Sequence, residues 1–163
     1  MAKFLTVIGS RNITKEEEER LFKLAKLYHD RGYTLRSGGA AGADSIINQF
    51  KNVEIIIPWN GFNGLRHDGR RVFVLDQLKD NARARELVIK IHPAPKKLSE
   101  GAMKLHMRNI YQVTGVHGVH KRNLSEGVLY VADEHRGRVK GGTATAVHLA
   151  KKLKLKVHNI RRK

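Results

Sequence analysis

The sequence predicts one Rossmann-like α/β domain, with a mainly parallel sheet and helices on both faces. Short apolar runs typical of buried parallel strands alternate with amphipathic helical patterns along the chain. Three of the connecting turns, at residues 9–11, 38–42 and 141–142, combine glycine with a position after a strand or before a helix. No internal repeat or low-complexity linker interrupts the 163 residues. We therefore predict a single domain over residues 1–160 and a basic tail at 161–163.

The first half of the chain begins with an apolar run that stops at Gly9, as expected of a buried strand. Thr14 and Glu17 form the capping-box pattern of a helix N-terminus, and Gly32 ends that helix. Pro58 ends the last strand of this half. The predicted elements are a strand at 4–8, a helix at 14–32, a strand at 33–37, a helix that begins at Asp44 with residues 46, 47 and 50 on one face, and a strand at 53–57.

The second half continues the alternation, with three loops of uncertain role between its elements. In the loop 59–64, Trp59 and Phe62 either stack on a base or anchor the loop. Residues 72–75 fit an edge strand or a packed loop. We expect a flexible loop at 114–125 and a basic loop at 134–140. The other predicted elements are helices at 81–91, 99–113 and 143–153, and strands at 128–132 and 155–158.

The charge of the chain is strongly positive and unevenly distributed. Lys and Arg total 32 against 15 acidic residues, which gives a net charge of +17. Residues 136–163 contain ten Lys or Arg and no acid. Such an excess predicts a polyanionic partner, here single-stranded DNA or RNA or a nucleotide. The predicted nucleic-acid surface consists of Arg136, Arg138, Lys140, Arg161, Arg162 and Lys163.

Several classes of function find no support in the sequence. The chain has no cysteine, so we expect neither disulfides nor thiolate metal sites, and a reducing cytoplasm fits. The nine histidines lack a paired helical spacing with a supporting acid, and no metal or cofactor is expected. No apolar run approaches the ~20 residues of a membrane helix, and we see no signal peptide. Ser10 has no evident base, which argues against nucleophilic catalysis. Self-association stays open.

The glycine-rich turns are candidates for an anion site. Glycine lets the backbone approach a ligand closely, and the first turn of a following helix directs N–H groups at it. Phosphate is the expected anion, although one such turn alone fits a tight connection without a ligand. Asp44 fits equally well a cap of its own helix and a ligand contact. Thr143 and Thr145 either cap the last helix or donate hydroxyls to phosphate.

The three turns, read as VIGSR at 7–11, SGGAAGAD at 37–44 and GGT at 141–143, resemble the SLOG superfamily. This group includes DprA/Smf-like DNA-processing proteins and LOG nucleotide phosphoribohydrolases. With HP at 92–93 and LHMRN at 105–109, the chain looks most like small DprA-like proteins carried by phages. The resemblance covers most of the chain and implies a Rossmann-like domain that binds single-stranded DNA. The ligand residues it implies are Gly9, Ser10, Arg11, Ser37, Gly38, Gly39, Gly42, Asp44, Arg108, Gly141, Gly142 and Thr143.

The same resemblance implies an alternative, an N-glycosidase that releases the base of a nucleoside monophosphate. The catalytic candidates for this reaction are Asp44, His106 and Arg108, since an acid beside the ribose and an arginine suit an oxocarbenium-like transition state. The late turn departs from the LOG pattern, because Lys140 stands in place of its proline and no acid follows Gly141. Sequestration of a nucleotide signal is a third hypothesis.

Overall fold

The computed structural model describes residues 2–118, 123–139 and 141–161. Among these residues, a 3₁₀ helix at Gly42–Gln49 takes the place of a predicted α-helix. The strands are β1 Lys3–Gly9, β2 Tyr33–Ser37, β3 Val53–Ile57, β4 Val72–Val74, β5 Gly127–Val131, β6 Glu134–His135, β7 Arg138–Val139 and β8 Lys156–Asn159, and the α-helices are α1 Lys15–Asp30, α2 Asn81–Ile91, α3 Glu100–Thr114 and α4 Ala144–Lys152.

Six of the strands form one sheet in the order β4-β3-β2-β1-β5-β8, and every neighbouring pair is parallel. The predicted fold class is therefore confirmed. The chain winds outward from β1 to β4 on one side and returns to β5 on the other. This reversal puts a crevice at the carboxyl ends of β1 and β5, where ligands of open parallel sheets bind.

Both faces of the sheet are covered because its strands alternate their side chains between two hydrophobic cores. In β1, Leu5 and Val7 pack against α1 and the 3₁₀ helix, whereas Ile8 packs against α2, α3 and α4. The predicted capping box of α1 is present, with the Glu17 N–H donating to Thr14 Oγ1 and the Thr14 N–H to the Glu17 carboxylate. Among the described residues, no helix is long and apolar enough to cross a membrane.

Three local predictions needed correction or completion. The segment from Gly42 to Gln49 is 3₁₀ rather than α-helical, and its Ile46 and Ile47 are buried as predicted. Ile46 and Ile47 are adjacent, so the pattern does not separate a period of 3.0 residues from one of 3.6. Phe50, the third residue of the predicted face, follows the helix in extended backbone. Residues 72–74 are an edge strand.

The basic loop contains a hairpin of β6 and β7, turned by Arg136 and Gly137 with φ of 51° and 78°. Arginine is not a residue that signals such a turn.

Candidate functional site

A cavity of about 500 Å³ lies at the crevice between the carboxyl ends of β1 and β5. This volume falls within the ~300–1,000 Å³ typical of small-molecule sites. Three parts of the chain that are far apart in sequence meet there: the turn after β1, the turn after β2 and the start of α4. The walls include Gly9, Ser10, Arg11, Asn12, Ala40, Asp44, His106, Arg108, Asn109, Gln112, Asp133, Gly141, Gly142, Thr143 and Arg161.

The turn after β1 is fixed against its neighbours by backbone contacts. Gly9 has φ of +150°, and a Cβ there would lie 2.4 Å from the Val131 carbonyl oxygen. The Ser10 N–H donates to that carbonyl at 2.7 Å, and the Ser10 carbonyl accepts from the Ala43 N–H at 3.0 Å. Arg11 is exposed, and its guanidinium has no hydrogen bond or ion pair to any other described residue. The turn thus presents one free cation on a rigid support.

The turn after β2 packs inward, and most of its predicted ligand residues do not line the cavity. A Cβ on Gly38 would lie 1.8 Å from Arg108 Nη1, and one on Gly42 would lie 2.4 Å from the Ser10 carbonyl oxygen. Gly39 faces the apolar side chains of the core. The Ser37 hydroxyl is buried and donates to the Asp44 carbonyl at 3.0 Å. These glycines let the turns and α3 approach one another, which is a different use from ligand contact.

Asp44 connects two of the turns and is itself 3 % exposed. Its carboxylate accepts from the Gly9 N–H at 3.2 Å and from the Ala40 N–H at 3.3 Å. Arg108 Nη1 lies 3.5 Å from the same carboxylate. Burial raises the pKa of Asp44, and Arg108 and the two N–H groups oppose that shift. The side chain of Asp44 does not cap its own helix, so the capping alternative is wrong. Asp44 lines the cavity, and its contact with a ligand stays a prediction.

Arg108 is the buried cation of the site, 7 % exposed, on the face of α3 that meets the turn after β2. Its Nη1 donates to the Gly38 carbonyl at 3.1 Å. With the Gln112 amide oxygen turned toward it, Nη1 also donates there at 3.1 Å, while Gln112 accepts from the Gly38 N–H at 3.2 Å. Burial lowers the pKa of Arg108, and Asp44 opposes that shift. Nε has no hydrogen-bond partner among the described residues.

The third turn is held by α3 and opens onto the cavity. Asn109 Nδ2 donates to the Gly142 carbonyl at 2.6 Å, so the turn is tied to the helix that carries Arg108. Within the described part of the chain, no side chain caps the N-terminus of α4, and Thr143 makes no capping hydrogen bond. A Cβ at Gly142 would meet no atom within 4 Å. The Ala144 N–H donates to the Gly141 carbonyl at 3.2 Å, whereas the N–H groups of Thr145 and Ala146 have no backbone partner among the described residues. Such free N–H groups at a helix start suit an anion.

His106 lines the cavity beside this turn. Its Nδ1 lies 2.7 Å from Thr145 Oγ1, and its ring meets that of His92 edge-on at 4.8 Å between centroids. Burial, His92 and Arg108 lower its pKa in that order, which favours the neutral form of the ring. Thr145 is buried and bonded to His106, which leaves Thr143 as the hydroxyl at the open end of the turn. The described residues contain no group of three His, Cys, Asp or Glu able to hold a metal ion.

Arg161 is an anchored residue, in contrast to the predicted basic tail. Its Nε donates to Glu17 at 2.8 Å, its Nη1 to Asp133 at 3.0 Å and its Nη2 to the Asn12 carbonyl at 2.7 Å. These bonds tie the C-terminal segment to the N-terminus of α1 and to the cavity wall. The same contacts neutralise part of the charge we assigned to the nucleic-acid surface. Lys140, Arg162 and Lys163 lie outside the described residues.

Arg161→Ala is expected to lower the free energy of unfolding by about 1.5–3 kcal/mol, since it removes hydrogen bonds between charged groups. Arg161 holds the pKa of Glu17 at about 2, against an ordinary value of 4.5. A carboxyl with a depressed pKa stabilises the fold above its unfolded pKa, and this stabilisation is lost as the pH falls from 4.5 toward 2. Urea unfolding across this pH range should show the two proteins converging in acid.

The control is Arg83→Ala, which removes an exposed arginine of α2. It should leave the stability within about 0.5 kcal/mol of the parent at every pH. A stability difference between the Arg161 variant and the parent that does not change with pH would contradict the assigned role of Glu17.

The remaining candidates for nucleic-acid contact differ in how far their side chains are exposed to solvent. Arg136 and Arg138 are exposed on the hairpin of β6 and β7. Phe62 is 9 % exposed within the core, and its ring centroid lies 5.4 Å from the Arg108 guanidinium carbon, so it anchors the loop. Trp59 packs edge-on against Phe62 at 5.7 Å and is 40 % exposed. Only Trp59 of the two aromatics offers a free surface.

Comparisons with known proteins give one structural similarity. No protein-family model matches the sequence, and a search of curated proteins found no match. A solved structure of DNA processing protein A from Helicobacter pylori, described for its single-stranded DNA binding mode, shares 17 % sequence identity. The match covers 98 % of this chain and 77 % of that one, with a TM-score of 0.44.

Proposed function

We propose that the cavity binds a phosphate group of a nucleotide, most favourably within single-stranded DNA or RNA. The observation that supports this most is the meeting of the free Arg11 and the uncapped start of α4 at one cavity. Both features attract anions, and each comes from a different end of the chain. Sequence motifs similar to those of DprA-like SLOG proteins agree with this assignment.

The charges around the cavity favour a bound anion over a cation. Its carboxylates are already engaged, Asp44 by Arg108 and two N–H groups and Asp133 by Arg161. Arg11, by contrast, has no partner among the described residues. A phosphate that contacts Arg11 and the free N–H groups at the start of α4 would satisfy both and leave the bond from Ala144 N–H to the Gly141 carbonyl in place. The net charge of +17 adds attraction over a longer range.

A titration of a labelled single-stranded oligonucleotide against salt tests this proposal. Because phosphate contacts release counterions, roughly four to eight contacts predict a slope of about −3 to −6 in log K against log salt. Arg11→Ala should weaken binding by about three- to tenfold and reduce the slope by about 0.7. Arg83→Ala removes the same charge away from the cavity and serves as the matched control.

Equal effects of the two alanine variants would mean that the protein binds polyanions without using the cavity. Affinity that does not depend on salt, or no binding at low salt, would remove nucleic acid as the ligand. A free nucleotide would then be the remaining candidate, whether sequestered or otherwise used, and isothermal titration with nucleoside monophosphates measures it directly.

The N-glycosidase alternative is favoured by no specific observation. Asp44 and Arg108 are buried and bonded to each other and to backbone groups, and His106 is bonded to Thr145. An acid that assists cleavage has to reach the ribose, and Asp44 is occupied by Arg108 and the turns. Incubation with nucleoside monophosphates, followed by chromatography for free base, tests this alternative separately from binding.

A further inference from the structure

A second groove, of about 530 Å³, lies directly beside the cavity and shares Arg11 and Asn12 with it. It is formed by the segment that leads into α1 and by the first turn of the 3₁₀ helix. Its walls are Arg11, Asn12, Ile13, Thr14, Glu18, Gly42 and Ser45. Arg11 therefore stands on the boundary between two spaces, each comparable in size with a small-molecule site.

The position of Arg11 on this boundary is fixed by its backbone. Gly42 packs so closely that a Cβ there would lie 2.4 Å from the carbonyl oxygens of both Ser10 and Arg11. On the other side, Arg161 Nη2 holds the Asn12 carbonyl at 2.7 Å. The backbone is clamped from two directions, whereas the guanidinium is exposed and unpaired among the described residues. A guanidinium with free N–H groups on two sides suits a phosphate that links two units.

The groove also offers polar side chains suited to a second unit of the ligand. Asn12 is exposed and Ser45 is half-buried beside it. The hydroxyl of Thr14 accepts from the Glu17 N–H and also contacts the Glu17 carboxylate. The Ser45 hydroxyl donates to the Gly42 carbonyl at 2.7 Å, so the Asn12 amide is the polar side chain of these three that is free for a ligand among the described residues. Glu18 is exposed and is the only acid among the described residues of the walls. An anionic ligand that enters this groove is therefore repelled by one identified carboxylate.

We propose that the site binds two consecutive nucleotides, one in the cavity and one in the groove, with Arg11 on the phosphodiester between them. This inference rests on the proposed function and adds a second subsite to it. A nucleoside monophosphate fills only the cavity. The ligand class that uses the whole site is a strand, and the minimal ligand is a dinucleotide that carries a 5′-phosphate.

A ligand series measured by isothermal titration at low salt tests the subsite. A 5′-phosphorylated dinucleotide should bind about tenfold or more tightly than the corresponding nucleoside monophosphate, because its second unit binds intramolecularly. Arg11→Ala should reduce this ratio to about twofold, since the linking phosphate loses its partner. Equal affinities of the two ligands for the parent protein would overturn the two-subsite inference while leaving phosphate binding in the cavity intact.

A pair of charge reversals on α1 separates the groove from general charge attraction. Glu18→Lys and Glu19→Lys change the net charge equally at exposed positions of one helix, and only Glu18 lines the groove. Glu18→Lys should raise dinucleotide affinity about threefold more than Glu19→Lys, because Coulomb attraction falls with distance. For the monophosphate the two variants should agree. Equal gains for the dinucleotide would place its second unit elsewhere, whereas no binding of any ligand would contradict the proposed function itself.

Discussion

Arg108→Met is expected to lower the free energy of unfolding by about 3–5 kcal/mol, the cost of leaving a buried partner charge uncompensated. Asp44 is 3 % exposed, and Arg108 is its only cationic partner among the described residues. Methionine keeps most of the volume of the side chain, so the loss comes from charge and hydrogen bonding. The Gly38 carbonyl also loses the donor that lies 3.1 Å away.

The double variant Asp44→Asn/Arg108→Met should be more stable than Arg108→Met alone, since it also removes the buried Asp44 carboxylate that has lost its cationic partner. In Arg108→Met the pKa of Asp44 rises further, because burial acts unopposed by the arginine. A carboxyl whose pKa is raised in the folded state lowers the stability while it is ionised, and this cost falls as the carboxyl takes up a proton. The loss of stability in Arg108→Met should therefore be smaller at about pH 5 than at about pH 7. Urea unfolding at these two pH values measures the change.

Arg85→Met is the matched control, because Arg85 forms an arginine–carboxylate pair at the surface, 2.7 Å from Glu100. Exposed pairs contribute about 0–1 kcal/mol to stability. Arg85→Met should therefore lower the free energy of unfolding by no more than this, and by the same amount with Asp or Asn at position 44. If Arg108→Met were no more destabilising than Arg85→Met, the buried pair would not hold the turns together, and the site would have to be organised by backbone contacts alone.

The fold could be predicted from the sequence because its signals are local and repeated. The run 4–8 and Gly9 mark β1, and the pair Thr14 and Glu17 marks the start of α1. Such patterns depend on burial over a few residues, which the period of the side chains reveals. The hairpin of β6 and β7 was missed because Arg136 occupies a left-handed position without the usual Asn or Gly.

The candidate site was predictable in its location and less so in the roles of its residues. The convergence of the turns at residues 9–11 and 141–143 follows from the parallel sheet. The inward packing of Gly38 does not, because a glycine that approaches a ligand and one that approaches a buried arginine look the same in sequence. The burial of Arg36 beside Glu54, at 2.9 Å in adjacent strands, likewise depends on pairing between distant segments.

Gly142→Asp is expected to raise the stability of the fold and to weaken the binding of an oligonucleotide. A Cβ at Gly142 meets no atom within 4 Å, so the aspartate fits without rearrangement. Its charge lies near the uncapped N-terminus of α4 and should stabilise the fold by about 0.3–1 kcal/mol. The same charge occupies the place of the ligand phosphate, and like-charge repulsion should weaken oligonucleotide binding by about tenfold or more.

The control for this variant is Gly101→Asp, in the first turn of α3, where a Cβ also meets no atom within 4 Å. It makes the same change in net charge and the same favourable contact with a helix N-terminus, but Gly101 does not line the cavity. Fluorescence anisotropy with a labelled oligonucleotide and urea unfolding should therefore show a similar gain in stability and a much smaller loss of affinity. If both aspartates weakened binding equally, the N-terminus of α4 would not be the phosphate site, and the contribution of net charge alone would account for the affinity.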